Sequence, residues 1–255
     1  HILHKQPPRP DDADNPAHIM FGGGASRDIW PEFERRFGVV LCEGYGMTET
    51  AGIATFNTPP HVRTGSIGRA VPYADVRVVD ERDQAVPPGS RGEIVMRPHR
   101  PHVVMESYLK DPEATATSLR RGWLHTGDRG WVDEDGYVYF VDRLKDCIRR
   151  RGENISSFEV EVAINAHPQV LESAAVGVPD PLGEEEVKII VVPRAGERID
   201  PLSIVQWAEQ RMAYFMVPRY VEIRDALPKT ETQKIQKASL REAGPGTAWD
   251  REAAG

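Results

Sequence analysis

Cysteine is scarce in this chain. Two in 255 residues, Cys42 and Cys147, allow one bridge at most. That excludes a disulfide framework and makes a reducing, cytoplasmic setting the simpler expectation. No apolar run approaches the ~18–20 residues of a membrane-spanning helix. The opening stretch, rich in His and Pro, has no apolar segment of the secretory-leader kind, so no signal peptide is expected. Excess positive charge is lacking too. Lys plus Arg number 32 against 39 Asp plus Glu, a net charge of -7, which argues against a general nucleic-acid binder. Several reaction motifs are also missing: no G-x-S-x-G elbow, no H-E-x-x-H, no paired C-x-x-C and no G-x-x-x-x-G-K-[ST] loop. Serine-hydrolase, zincin, zinc-ribbon and P-loop readings therefore have no support.

What is present suffices for a core. Hydrophobic residues make up 40% and charged residues 28%, which excludes whole-chain disorder. The length suits one large domain or two small ones. The sequence opens on His1 and soon reaches the glycine run Gly22-Gly23-Gly24, so it reads as a protein entered midway.

Local patterns give a mixed α/β organisation. His18 to Phe21 reads as a strand entering a glycine turn, and Asp28 to Phe37 as a helix with Pro31 near its start and Gly38 as its stop. Val39 to Leu41 reads as a buried strand feeding a loop, EGYGMTET. From Gly65 onward the texture is β. Val76 to Val79 and Ile94 to Met96 are strands, Asp111-Pro112 opens a helix, and Asp133-Glu134-Asp135-Gly136 joins a hairpin. The predicted boundary falls between residues 141 and 142. Beyond it, Ser156-x-x-Glu159 is a capping box for a helix ended by His167-Pro168. Strands at Ser173 to Val178, Val187 to Val192 and Tyr220 to Ile223 follow, with a helix after Asp200-Pro201. A short polar helix is expected over Lys234 to Glu242.

Three segments could carry chemistry. Gly44-Tyr45-Gly46-Met47-Thr48-Glu49 reads either as a plain turn or as a nucleotide cradle. In the second case the aromatic ring stacks on a base, Thr48 bonds a phosphate and Glu49 holds Mg2+. Thr126-Gly127-Asp128 is either an ordinary turn pair or a carboxylate placed just before a strand to accept two hydrogen bonds from a ribose diol. Pro228 to Lys237 carries three lysines, either a solvated face or a loop presenting an ammonium to a phosphate.

The order of these segments is informative. EGYGMTE, GWLHTGD, DRLKDCIRRRGENIS and PKTETQKIQK together strongly resemble the adenylate-forming superfamily of acyl-CoA synthetases, luciferases and peptide-synthetase adenylation domains. The resemblance runs from Phe21 to Glu242. QPPRPDDAD, GEIVMRPHRP and DPEATATSLRRGWLHTGD look most like bacterial crotonobetaine/carnitine-CoA ligases and related acyl-CoA ligases.

The resemblance implies a fold and a set of roles. Residues 1–141 would be the C-terminal portion of a large AMP-binding domain with a β-rich subdomain, and 142–255 a small mobile α/β domain. Gly22, Gly23 and Gly24 would lie between acyl pocket and adenine; Glu43, Gly44 and Tyr45 would surround the base. Thr48 would meet the phosphate, Glu49 would coordinate Mg2+, and Asp128 with Arg143 would hold the ribose. Lys145 would be the hinge and Lys234 the lysine bridging substrate carboxylate and α-phosphate. Gly152 would border the pantetheine path, and Arg149, within Arg149-Arg150-Arg151, would reach the CoA phosphate unless that run is simply a solvated basic face. The implied reaction joins a small carboxylic acid to CoA through an acyl-adenylate, consuming ATP and releasing AMP and pyrophosphate.

Three departures stand beside this. Gln233 occupies the usual glycine position before the bridging lysine, and Ser107 the glycine position before Tyr108. The Ser/Thr/Gly-rich loop that grips the outer phosphates lies upstream in the family and is absent from this sequence. Two alternatives follow: a catalytically silent fragment or nucleotide-site remnant, and an adenylation domain loading a carrier protein.

Overall fold

The structure, a computed structural model, describes residues 3–4, 6–25, 27, 29–180, 183–231 and 233–253. It divides into two compact units, His1–Val141 and Asp142–Gly255.

In the first unit, strand β1 (Ile19–Gly22) lies parallel to β2 (Val40–Met47). Helix α1 (Trp30–Phe37) connects them. Pro31 sits in its first turn, where a missing N–H costs nothing, and Gly38 ends it at φ 65° by donating to Glu34 O. Asp28, expected to begin this helix, lies outside the described residues. Trp30 and Phe33 are the buried positions of α1. β2 continues antiparallel into β3 (Gly52–Phe56), which pairs with β4 (Arg69–Ala70).

The stretch expected to be a loop, EGYGMTET, is mostly strand. β2 runs through Met47, and only Thr48–Thr50 form a single 3-10 turn. The glycines serve close approach: a Cβ on Gly46 would fall 1.8 Å from Gly52 O, and one on Gly44 2.9 Å from the Phe56 ring. A bulge between Tyr45 and Gly46 relieves the register.

A second sheet is built from β5 (Ala74–Val79), β6 (Gly92–Pro98), β7 (Leu119–Arg120), β8 (Trp123–Val132) and β9 (Val138–Arg143), with β8 pairing β6, β7 and β9. Helix α2 (Pro112–Ser118) has Asp111 as its cap, the carboxylate accepting from Ala114 N at 2.9 Å. It stops at Ser118, because Leu119 and Arg120 pair with β8.

The second unit opens with a hairpin, β10 (Ile148–Arg150) and β11 (Glu153–Ile155). Its two turn residues, Arg151 (φ 49°) and Gly152 (φ 83°), are both left-handed, the backbone that matches strand twist in a two-residue turn. Helix α3 (Ser157–Asn165) is capped by Ser156, which accepts from Glu159 N at 3.1 Å. Strands β12 (Val170–Pro179), β13 (Glu185–Pro193), β14 (Tyr220–Ile223) and β15 (Trp249–Asp250) form the sheet in that order. Helix α4 (Pro201–Glu209), capped by Asp200, packs with α3 over a core containing Ile164, Ile189, Val191, Ile204 and Val221. The last helix, α5 (Lys237–Glu242), begins three residues later than the sequence suggests. The preceding segment folds back on itself instead, Thr230 N donating to Lys234 O at 2.8 Å and Gln236 N to Pro228 O at 2.9 Å.

Candidate active site

Four elements of the first unit converge. Tyr45, projecting from β2 beside the bulge, donates its hydroxyl to Asp128 Oδ2 at 2.5 Å. Asp128 comes from β8, 83 residues away in sequence, and is almost fully buried. It does not precede a strand, as its sequence context suggested, but lies inside one, where Thr126-Gly127-Asp128 bulge out of register against β6. Thr126 Oγ1 donates to Ile94 O at 2.6 Å and accepts from Asp128 N at 3.1 Å, which fixes the bulge around the carboxylate.

The 3-10 turn Thr48–Thr50 packs beside β8. Thr50 Oγ1 accepts from Met47 N at 2.9 Å and ties the turn to the end of β2. Glu49 is held from two directions. Its backbone oxygen accepts from Met105 N at 2.7 Å, and its Oε1 accepts from the Tyr108 hydroxyl at 2.7 Å. Burial first, and the Glu49 carboxylate second, keep the Tyr108 phenol above its ordinary pKa, so it remains a donor.

Glu43, expected beside a base, has a local task. It is buried, and its Oε1 accepts from the backbone N–H of Gly24 and, at 3.1 Å, of Ala25. The glycine turn is thereby clamped to β2, and Gly23 lies close to Gly44 O. Desolvation raises the Glu43 carboxyl to about 7 against the opposing pull of the two N–H groups.

Among the described residues no group of three or more His, Cys, Asp or Glu could cage a metal. A substrate-bridging Mg2+ needs no such cage, since it takes one or two carboxylates and completes its shell with phosphate and water. The Glu49 carboxylate, whose Oε1 accepts from Tyr108, is a donor of the type such an ion takes.

In the second unit the expected residues separate into different environments. Lys234 is exposed, in the folded-back segment just described, with its N–H donating to Thr230 Oγ1 at 3.1 Å. Thr232, within the same motif, lies outside the described residues. Gln233 is left-handed at φ 65°, a backbone that favours glycine. Lys145 sits in a 3-10 turn, Leu144–Asp146, whose Asp146 carboxylate accepts from Arg241 at 3.0 Å. Arg143 ends β9, its N–H donating to Asp142 Oδ1 at 2.7 Å.

The arginine run does not behave as one face. Arg150 is buried and pairs with buried Glu186 at 2.6 Å, also donating to Phe215 O at 2.7 Å. Arg149 is exposed but turned to Asn154 Oδ1 at 2.9 Å and to Glu184 at 3.8 Å. Gly152 N donates to Glu184 Oε2 at 3.0 Å. Carboxylates thus already engage the hairpin that the resemblance assigns to CoA.

Sequence reasoning missed Tyr108 as the partner of Glu49 and Glu43 as the clamp of the glycine turn. No spacing links Tyr108 to Glu49, 59 residues apart. Glu43, in contrast, was legible as a carboxylate next to a buried strand.

Comparison with known proteins supplies the context. A family model described as AMP-binding enzyme matches residues 2–109, and one described as AMP-binding enzyme C-terminal domain matches 159–234. A crotonobetaine/carnitine-CoA ligase of Salmonella heidelberg (strain SL476) is 38% identical over 239 residues, which covers 92% of this chain and 46% of the relative. The chain therefore spans about half the length of the curated relatives it matches. Among solved structures, ATP-bound MatB from Rhodopseudomonas palustris superimposes with a TM-score of 0.78 at 34% identity, covering 88% of this chain and 45% of that one. The o-succinylbenzoate CoA synthetase MenE from Bacillus subtilis, solved with its acyl-adenylate intermediate, gives 0.81 at 26% identity, covering 94% and 48%. On both halves of its sequence, and in the fold of its sheets, the chain belongs to the AMP-binding, adenylate-forming enzyme family.

Proposed function

We propose that this chain carries the nucleotide cradle and the small domain of an ATP-dependent acid–thiol ligase, which forms acyl-CoA from a carboxylic acid through an acyl-adenylate. The observation that carries the reading is the Tyr45–Asp128 hydrogen bond beside the Glu49 turn. A phenol and a buried carboxylate 83 residues apart in sequence meet there, and the turn that carries Glu49 lies against the same strand.

The chemistry needs such groups. A carboxylate and a polyphosphate repel each other, so attack at the α-phosphorus requires positive charge fixed where negative charge accumulates. Asp128 accepts from the ribose hydroxyls and Arg143 donates to the same ribose; Gly22, Gly23, Gly24, Gly44 and Tyr45 line the base; Thr48 bonds the phosphate. Mg2+ at Glu49, when bound, neutralises phosphate charge. Lys234 provides the ammonium for adenylation, and Lys145 the pivot that withdraws it before thiol attack. Gly152 and Arg149 border the thiol's path. CoA is the acceptor favoured by the named relatives; a carrier-protein phosphopantetheine is the alternative. A cytoplasmic setting accompanies this reading, Cys42 and Cys147 both being free thiols. Among the described residues no helix is long and apolar enough to cross a membrane.

A second reading concerns the chain on its own, as a silent nucleotide-binding unit that needs a covering polypeptide for turnover. Ile19, Phe21 and Val40, on the parallel pair β1 and β2, are exposed at 53%, 58% and 40%. Parallel strands are ordinarily covered on both faces.

Both readings meet one experiment. The purified chain is given ATP, a panel of acids and either CoA or a holo-carrier protein, and pyrophosphate and thioester are measured. The silent reading expects bound AMP, weakened about tenfold or more by Asp128→Asn, with negligible pyrophosphate. Robust pyrophosphate release, lost by orders of magnitude in Lys234→Ala, would instead assign turnover to the chain itself. Absence of any AMP binding would refute the cradle.

A further inference from the structure

The bulge that carries Asp128 has an unusual construction. β6 and β8 are in register at Glu93↔Arg129 and again at Val95↔His125. Between those pairs Ile94 alone faces Thr126, Gly127 and Asp128. Two surplus residues in a ladder leave backbone N–H groups without a cross-strand carbonyl, and buried ones need another acceptor. Gly127, left-handed at φ 70°, finds it in a side chain: its N–H donates to Glu93 Oε1 at 3.0 Å.

The second oxygen of Glu93 is used as well. His125 Nδ1 lies 2.8 Å from Glu93 Oε2, and a carboxylate can only accept there, so Nδ1 carries the proton. The His125 side chain is 5% exposed and that of Glu93 15%. Arg120 closes the group, 3.2 Å from Asp83 Oδ1 and 3.7 Å from Glu93 Oε2. Both oxygens of one carboxylate are thus fixed, one by the bulge and one by a buried ring.

We infer that Glu93, braced by His125, is the positioning residue that holds the Thr126–Asp128 bulge and so aims the Asp128 carboxylate at a ribose diol. The inference rests on the reading of Asp128 as the ribose acceptor. Glu93 touches no reacting atom; it acts through Gly127. The arrangement explains a feature the cradle alone does not. A surplus of two residues would otherwise let the strand slip, and a slip of one residue turns Asp128 to the opposite face.

Two measurements on the full 255-residue chain test this. The first is amide hydrogen exchange. Glu93→Ala is expected to speed exchange at Gly127 about tenfold or more, with Val78 and Met96 unchanged, while Glu93→Gln, which keeps an oxygen for Gly127, stays within about threefold. An unchanged Gly127 rate overturns the inference. Should Glu93→Ala fail to fold, His125→Phe takes its place, with a smaller rise expected and the same overturning result. The second is affinity for AMP against 2′,3′-dideoxy-AMP. Loss of positioning weakens AMP about tenfold and leaves the dideoxy nucleotide unmoved. Equal loss of both would mark a merely structural role and overturn the inference. If the unaltered chain binds both nucleotides equally, the ribose reading of Asp128 fails, and Gly127 exchange still decides the brace.

Discussion

The two units solve opposite problems. The second unit places a continuously buried strand at its centre: from Val187 to Val192 every residue of β13 is buried, and α3 and α4 cover the face formed by Val187, Ile189 and Val191. Its one intruding cation in that run, Lys188, is satisfied by Glu222 at 2.7 Å and Gly244 O at 2.7 Å. The first unit has two small apolar clusters, around Met96 and around Ile94, and its buried set includes Glu43, Thr55, Asn57, Ser66, His125 and Asp128. A polar interior is held by directional bonds that must all be made, and it leaves carboxylates desolvated. The second unit also buries charge, Asp142, Arg150, Glu186 and Lys188 among it, but beside larger apolar clusters.

Core truncation is the strongest probe of this contrast. Ile189 is fully buried between β12 and β14, with α3 and α4 above it. Ile189→Ala should cost about 2–5 kcal/mol. Amide exchange is the measurement: protection should fall along β12 and β13 and remain along β5 and β6. Loss of protection in both units together would show that they unfold as one and break the contrast.

Acidity probes the polar interior. Glu43 has a folded-state pKa of about 7, above its ordinary 4.5, because burial disfavours the charged form. The folded state therefore holds a proton that the unfolded state has already lost between those values. Stability contributed by this group is full below about pH 4.5 and falls as pH rises through about 7. The total is on the order of 3 kcal/mol. Glu43→Gln keeps an acceptor for the Gly24 and Ala25 N–H groups and has nothing to ionise. Its unfolding midpoint should hold steady from pH 5 to pH 8, about the interval concerned, where the unaltered chain declines. Parallel declines in both proteins would assign the pH dependence to another group.

The same contrast governs what the sequence discloses. Caps and turns are local codes, so Asp111-Pro112, Ser156, Asp200-Pro201 and the Asp133–Gly136 turn were legible, and each stands at its expected end. The start of β2 was legible as Val39 to Leu41, but its continuation was not, because Gly44 and Gly46 read as loop until Gly52, Phe21 and Phe56 press against them. The arginine run was partly legible. In a strand, Ile148 and Arg150 share a face, so the buried member of the run could have been picked by alternation. The Tyr45–Asp128 and Tyr108–Glu49 bonds were not legible in chemistry or spacing. Each depends on two sheets or loops that meet only after the fold is complete.

The smallest expected effect comes from the segment bearing Lys234. Gln233 holds φ 65°, where a side chain is strained, and its N–H donates to Thr230 O at 2.9 Å. Replacing it by glycine removes that strain and adds backbone freedom to the unfolded chain, and the two effects oppose each other. The strain is the larger, about 1–2 kcal/mol against 0.5–1, so Gln233→Gly should stabilise by about 0.5–1 kcal/mol. Urea unfolding with a fixed slope would register the change as a shifted midpoint. A destabilised variant would mean that the glutamine side chain makes a compensating contact. The first unit's contribution should not move at all, since among the described residues the Gln233 N–H bonds within its own turn, to Thr230 O. A stability change felt by the Glu43 titration would therefore be evidence that the two units are energetically coupled.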